Sequence, residues 1–334
     1  MGPDITSALL EPVAELLGPH HRVFAPFLLT SLALAILSFR VAQRSTQAPR
    51  PRLLRYLFPR RLFLHRSSRL DVWWLGVRAI CQALILWPLR VSVLGVAVFA
   101  CGQVRNVAGS TPFHAPADRT WLFVAFTAGL FLADDATRYL VHRAMHAFGP
   151  LWELHKVHHS AEVLTPLTLY RVHPIESSLN QLRGGLAAGL VTGLFMWAFP
   201  GKLRAFEVLG VDALGFLWTA LGANLRHSHV WLSFPPWVER WFISPAQHQM
   251  HHARSACPPG NYGSALAVWD RLCGTLLVSQ GRRPPRVGIP RAERNHSGTV
   301  ASALFHPMLG ALRRLIPWLP TRPSVQPSPK NAAQ

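Results

Sequence analysis

Three histidine clusters stand out by residue type and spacing: His142-Arg-Ala-Met-His146, His155-Lys-Val-His158-His159 and His248-Gln-Met-His251-His252. Imidazole is a common metal ligand, and residues i and i+4, or i, i+3 and i+4, share one face of a helix. Each cluster can therefore aim two or three ring nitrogens at one centre. Of the 17 histidines, 11 fall between His142 and His252 and eight lie in these clusters. Eight rings exceed what one tetrahedral zinc takes and suit two metal ions.

The elements that must position these rings are apolar helices. The 334 residues are 50% hydrophobic and 15% charged, against about 25% charged in an ordinary soluble domain. Mean hydropathy is +0.19. The charges are lopsided, 34 Lys+Arg against 15 Asp+Glu, for a net charge of +19. Hydropathy of this kind assigns the basic excess to membrane-facing loops and argues against a nucleic-acid partner. The four cysteines show no CxxC spacing, which excludes a thiolate zinc site or a disulfide framework and reads as small buried hydrophobes. Residues 1–20 carry Asp4, Glu11 and Glu15 and no basic start, unlike a cleaved signal peptide.

Five apolar stretches are expected to form the membrane part: 24–39, 72–101, 121–133, 184–199 and 206–221. The second is interrupted by Arg78, Pro88 and Arg90, and the fourth and fifth are separated by the turn signal Pro200-Gly201-Lys202. Nine arginines from Arg40 to Arg69 place that loop in the cytoplasm. Counting crossings from there brings all three clusters out on the cytoplasmic side, as a shared site requires. His142 then lies about 13 Å along a helix beyond Ala133, close to the bilayer surface. The expected fold is all-α: a membrane helical bundle of four to five membrane stretches with a cytoplasmic histidine-rich helical cap. Its organisation is N-terminal membrane helices with a basic loop over 1–120, the histidine domain over 121–280, and a basic, Pro-rich segment with a disordered tail over 281–334.

In these motifs the chain resembles the fatty acid hydroxylase/sterol desaturase superfamily of membrane non-haem di-iron enzymes. The resemblance runs from about Trp121 to Thr275. It rests on the three clusters, supported by Asp135, Tyr170-Arg-Val-His-Pro-Ile-Glu176, Asn224-Leu-Arg-His227-Ser, Asn261-Tyr-Gly263 and Trp269-Asp-Arg-Leu-Cys-Gly-Thr275. It implies two iron ions, dioxygen and a lipid substrate (fatty acyl, sterol-like or related) to be hydroxylated or desaturated. The preponderance of arginine, 31 of the 34 basic residues, points to a bacterial inner membrane rather than the endoplasmic reticulum. The chain has no haem-binding CxxCH, nucleotide-binding GxGxxG or ferredoxin cysteines, so electrons come from an external donor: a ferredoxin, cytochrome or flavoprotein reductase.

The ligand candidates are His142, His146, His155, His158, His159, His173, His227, His248, His251 and His252. His173, between Val172 and Pro174, equally reads as part of a structural turn, and His229 is set aside. Metal-bound imidazoles usually donate their second N–H to a carboxylate or carbonyl. Asp135, seven residues before His142, and Glu176 are the expected partners, with Glu153 and Asp270 equally readable as surface ion pairs. The competing class is a membrane metal transporter or metal-binding protein. It would line a path with ligands inside its spans, whereas these clusters sit at helix exits on one side.

Overall fold

The computed structural model describes residues 24–44, 52–81, 92–111, 120–202, 213–254, 260–282 and, with breaks at 283, 291–292, 295 and 297, 284–316. The N-terminal 1–20 reading, Cys257, the middle of the second apolar stretch, the start of the fifth and the tail lie outside these residues. The described chain is helical, with two isolated antiparallel bridges, Phe242 to Leu266 and Ala253 to Val287. The principal helices are α1 (Ala25–Arg44), α2 (Arg66–Cys81), α3 (Val93–Ala108), α4 (Thr120–Ala147), α5 (Gly149–His159), α6 (Pro174–Ala198), α7 (Ala213–Ala220), α8 (Pro245–His251) and α9 (Val300–Leu315).

Helix α6 is the spine, packing on α3 along one side and on α4 along another. Small residues make the first contact possible. A Cβ on Gly189 would come within 2.5 Å of the Val96 side chain, and one on Gly193 within 2.6 Å of the Ala97 carbonyl. The α4 contact combines the Phe126 and Phe195 rings, 5.2 Å apart, with Arg183 reaching back to Asp134 at 2.8 Å and to Thr137 Oγ1 at 2.7 Å.

Helix α9 lies across α5, where Ala303, Val157 and Trp74 form a buried cluster. Asp71 of α2 is fully buried and accepts from Arg171 Nε at 2.5 Å and Thr168 Oγ1 at 2.9 Å. Helix α2 is thereby tied to the segment after α5.

Among the described residues no helix is long and apolar enough to cross a membrane. Four to five spanning stretches are expected from the sequence; the lengths and charges of several described helices show where their apolar runs end. Helix α3 has 16 residues. Helix α2 carries Arg66, Arg69, Asp71 and Arg78. The 28 residues of α4 and the 25 of α6 are long enough. Their uncharged parts, 120–133 and 184–198, nevertheless fall short of the ~20 apolar residues a span needs. The same helices turn large apolar side chains outward, among them Leu29 and Leu37 of α1, Val98 and Phe99 of α3, Val124 of α4, and Leu190 and Leu194 of α6.

Candidate metal centre

Four short pieces of chain bring the histidines together. Helix α4 ends with His142 and His146 one turn apart. Phe148 and Pro150 then start α5, which presents His155, His158 and His159 at its C-terminal end. The third piece is a 3-10 turn, Ala223–His227, entered through Gly222 at φ 99°, a left-handed conformation that favours glycine. The fourth is α8, capped by a reciprocal pair: Ser244 Oγ accepts from Gln247 N at 3.1 Å while Gln247 Oε1 accepts from Ser244 N at 2.9 Å. Gln249 Nε2 donates to the Val230 carbonyl at 2.8 Å and the Leu225 carbonyl at 3.3 Å, which fixes α8 against the His227 turn.

The rings sort into two groups. His142, His146, His155, His159 and His251 form one; His158, His227, His248 and His252 form the other. In each group the ligand atoms lie within 4.8 Å of one another. The groups abut, with the His159 and His252 rings stacked 4.4 Å apart. Several Nε2 atoms face each other directly: His159 and His251 at 3.1 Å in the first group, His158 and His227 and then His227 and His248 at 3.1 Å in the second. Neighbouring nitrogens on one metal ion with bonds of ~2.1 Å stand about 3.0–3.4 Å apart, so this donor set fits a metal ion in each group. His146 Nε2, buried with no hydrogen-bond partner, fits the same role.

The ring orientations are set from behind. His142 Nδ1 lies 2.8 Å from the Tyr262 carbonyl and His251 Nδ1 2.9 Å from the Gly260 carbonyl. A carbonyl only accepts, so these rings carry their hydrogen on Nδ1 and turn a bare Nε2 to the cluster. His155 Nδ1 is held in the same way by Glu176 Oε1 at 2.8 Å.

The loop that supplies the carbonyls is itself braced. Asp270 accepts from Tyr262 N at 2.9 Å, Gly263 N at 2.7 Å and Thr275 Oγ1 at 2.6 Å. Asn261 takes a left-handed φ of 58° inside that loop, a conformation asparagine tolerates better than most residues.

Burial keeps the rings neutral. It pushes His142, His155 and His158 down to about 3, and His146, His159, His248, His251 and His252 well below the ordinary imidazole value, with neighbouring rings adding to the effect for most of them. Neutral imidazole is the ligating form. Burial also raises the Glu176 carboxyl to about 7, opposed by the nearby rings.

Nine of the ten candidate histidines converge and one does not. His173 caps α6, its Nδ1 accepting from Ile175 N at 3.2 Å while its Nε2 donates to the Leu304 carbonyl at 2.9 Å. Both ring nitrogens are committed to the fold, so the structural-turn reading replaces ligation.

Asp135 is corrected likewise. Its carboxylate accepts from Ala265 N, Leu266 N and Trp269 Nε1 at 2.8–3.0 Å and touches no cluster ring through a hydrogen bond. Glu153 pairs with Lys156 at 2.8 Å and Arg314 at 2.7 Å. His229 lies 2.6 Å from the Tyr56 carbonyl. The Gly260 and Tyr262 carbonyls, which orient two of the rings, carry no signal in residue identity. Trp152, whose ring lies 4.9 Å from that of His146, was not anticipated, and Tyr262, read in the sequence only as part of Asn261-Tyr-Gly263, lies 5.1 Å from the same ring.

Fold and site together define a helical protein with two adjoining histidine clusters, each of which could hold a metal ion. Residues 127–275 match the fatty acid hydroxylase family, so this stretch of the chain is a fatty acid hydroxylase domain. Among its relatives is an ornithine lipid hydroxylase of Rhizobium tropici, 30% identical over 56% of this chain and 50% of that protein. An alkylglycerol monooxygenase of Caenorhabditis elegans is 27% identical over 51% of this chain and 29% of that protein. A methylsterol monooxygenase of Aspergillus fumigatus is 27% identical over 56% and 58%. The chain thus spans between 29% and 58% of the length of these relatives. No solved structure matches it.

Proposed function

We propose that the two histidine groups hold two iron ions and that the protein is an O2-dependent oxidoreductase that hydroxylates or desaturates a lipid, with electrons from a separate donor. The observation that carries this reading is the division of nine converging histidines, seven of them buried, into adjoining sets of five and four. Imidazole suits iron as well as zinc. Iron so held supplies a redox-active centre that activates dioxygen against an unactivated C–H bond.

The chain's own residues do the rest. Glu176 and the Gly260 and Tyr262 carbonyls keep three rings in the ligating tautomer. Burial excludes bulk water, and Trp152 and Tyr262 stand against the His146 ring as an aromatic wall. The histidines close into compact groups, which supports a fixed centre over a transport path.

A lipid substrate is supported by the relatives, whose names specify an ornithine lipid, an alkylglycerol and a methylsterol. Membrane residence is part of the same proposal. Outward apolar side chains on α1, α3, α4 and α6 form a surface suited to hydrocarbon, and the arginine-rich loop orients the histidine side to the cytoplasm of a bacterial inner membrane.

Iron analysis of the purified protein tests the reading. About two irons per chain, falling in His155→Ala and His251→Ala, support it. A single zinc, or no metal in a folded chain, would sink it. Lipid profiles of cells with and without the protein then identify the substrate.

A further inference from the structure

A cavity of about 110 Å3 opens beside Ser160, the residue after His159, and contains none of the clustered histidines. Arg66 and Ser67 of α2, Glu162 and Arg171 from the segment after α5, and Arg294 and His296 from the segment before α9 form its walls. The space is enough for several waters or one small oxyanion.

Its charges do not cancel. Arg171 is matched by Asp71. Arg66 and Arg294, however, share the single Glu162 carboxylate, at 2.7 and 2.6 Å. One guanidinium charge is left in excess at the wall.

Hydrogen-bond donors are in excess as well. Gly298 N donates to His296 Nδ1 at 3.2 Å, so the neutral ring carries its hydrogen on Nε2. That Nε2 is buried and has no acceptor among the described residues, and the same holds for Arg294 Nε. Ser67 Oγ already accepts from Arg171 Nη2 at 2.9 Å and from Glu162 N at 3.2 Å, which leaves its own hydrogen to donate. Buried donors normally find acceptors. Donors converging from three chain segments, with a positive charge behind them, call for an anion with oxygens pointing in several directions. A tetrahedral oxyanion meets that geometry better than a planar carboxylate, and guanidinium groups recognise phosphate through paired N–H bonds.

We infer that this cavity binds a phosphate-class oxyanion, supplied either as free phosphate or as the phosphate of a lipid headgroup. Bound there, the anion clamps α2, the end of α5 and the entry to α9 together. Arg171 carries the coupling to α5, since its Nη1 donates to Ser160 Oγ at 3.3 Å.

The experiment is calorimetric titration of the full-length, metal-loaded protein in detergent and chloride buffer. One arm uses inorganic phosphate and the other dihexanoyl phosphatidic acid. Saturable binding, weakened about tenfold or more in Arg294→Gln and His296→Ala, is expected. His296→Gln, which keeps a donor, retains most of the affinity. Binding of phosphate alone identifies the free anion, and binding of phosphatidic acid alone, or much more tightly, identifies the headgroup.

Should the buried variants fold poorly, Arg66→Gln, at the exposed rim, still lowers phosphate affinity. The inference is overturned if neither probe binds saturably, if ordered water alone fills the cavity at saturating phosphate, or if binding survives Arg294→Gln and His296→Ala in folded protein with its metal intact. The last result assigns the anion to the metal centre.

Discussion

His155 Nδ1 and Glu176 Oε1 meet at 2.8 Å with both side chains buried, joining the end of α5 to the start of α6. The contact fixes the His155 tautomer and leaves its Nε2 for the five-histidine group. Glu176 is thus a carboxylate hydrogen-bonded to a clustered ring, and its second oxygen has no hydrogen-bond partner among the described residues. Removing such a partner typically lowers metal affinity about 10–100-fold. Glu176→Ala should fall in that range and Glu176→Gln, which keeps an acceptor but no charge, near its lower end. Competition against a graded series of chelators measures it. Unaltered affinity in both variants would reduce the pair to a helix fastening.

His173 and His155 should behave oppositely on substitution. His173→Asn keeps a side chain that caps helices well and removes the bond to the Leu304 carbonyl. It should cost about 1 kcal/mol of stability and leave metal stoichiometry unchanged. His155→Ala removes a ring from the cluster and should lower it. Elemental analysis of the two purified variants decides, and metal loss in His173→Asn would restore that residue as a ligand.

Metal-free protein should be sensitive to mild acid. His142, His155 and His158 have folded values near 3, far below the ~6.5 of an exposed ring. Between those limits the unfolded chain binds more protons than the folded one, so stability rises with pH and levels off above about 6.5. Glu176 works in the opposite sense. Its folded value is raised to about 7, so its contribution is present at low pH and fades as pH rises towards that value. One carboxyl against several rings leaves the net slope positive. Denaturant midpoints of the chelated protein should climb from pH 5 to 7 and then flatten, and a level profile would contradict the neutral, buried cluster.

How much of this was legible in the sequence follows from where each partner resides. Eight of the nine ligand-type rings were readable because histidine at i, i+3 and i+4 declares a shared helix face, whereas His227 entered only through the family resemblance of Asn224-Leu-Arg-His227-Ser. Glu176 was readable because a carboxylate is a plausible imidazole partner. Asp135 misled for an instructive reason. The seven-residue spacing from His142 does repeat along α4, but backbone N–H groups of Ala265 and Leu266 occupy the carboxylate. His142 and His251 rest on main-chain carbonyls, which every residue possesses, so no side chain announces them. The apolar runs were found at about the right places. The runs 121–133 and 184–199 end where Asp134 and Arg183 stand, and these two charges pair with each other inside the bundle.

Two glycines of α6 should separate packing from propensity. A Cβ on Gly193 would lie 2.6 Å from the Ala97 carbonyl oxygen and 2.7 Å from Ala100 Cβ, and backbone cannot swing aside as a long side chain can. Gly193→Ala must therefore push α3 away from α6, at a cost of roughly 1–3 kcal/mol typical of overpacking. A Cβ on Gly184, in the same helix, meets nothing within 4 Å. Gly184→Ala should stabilise by roughly 0.5–1 kcal/mol, because alanine surrenders less backbone entropy in a helix. Thermal midpoints in detergent should move down for the first and up for the second, with metal content equal in both. A rise in both would mean that α3 and α6 do not make the close contact that Gly193 permits.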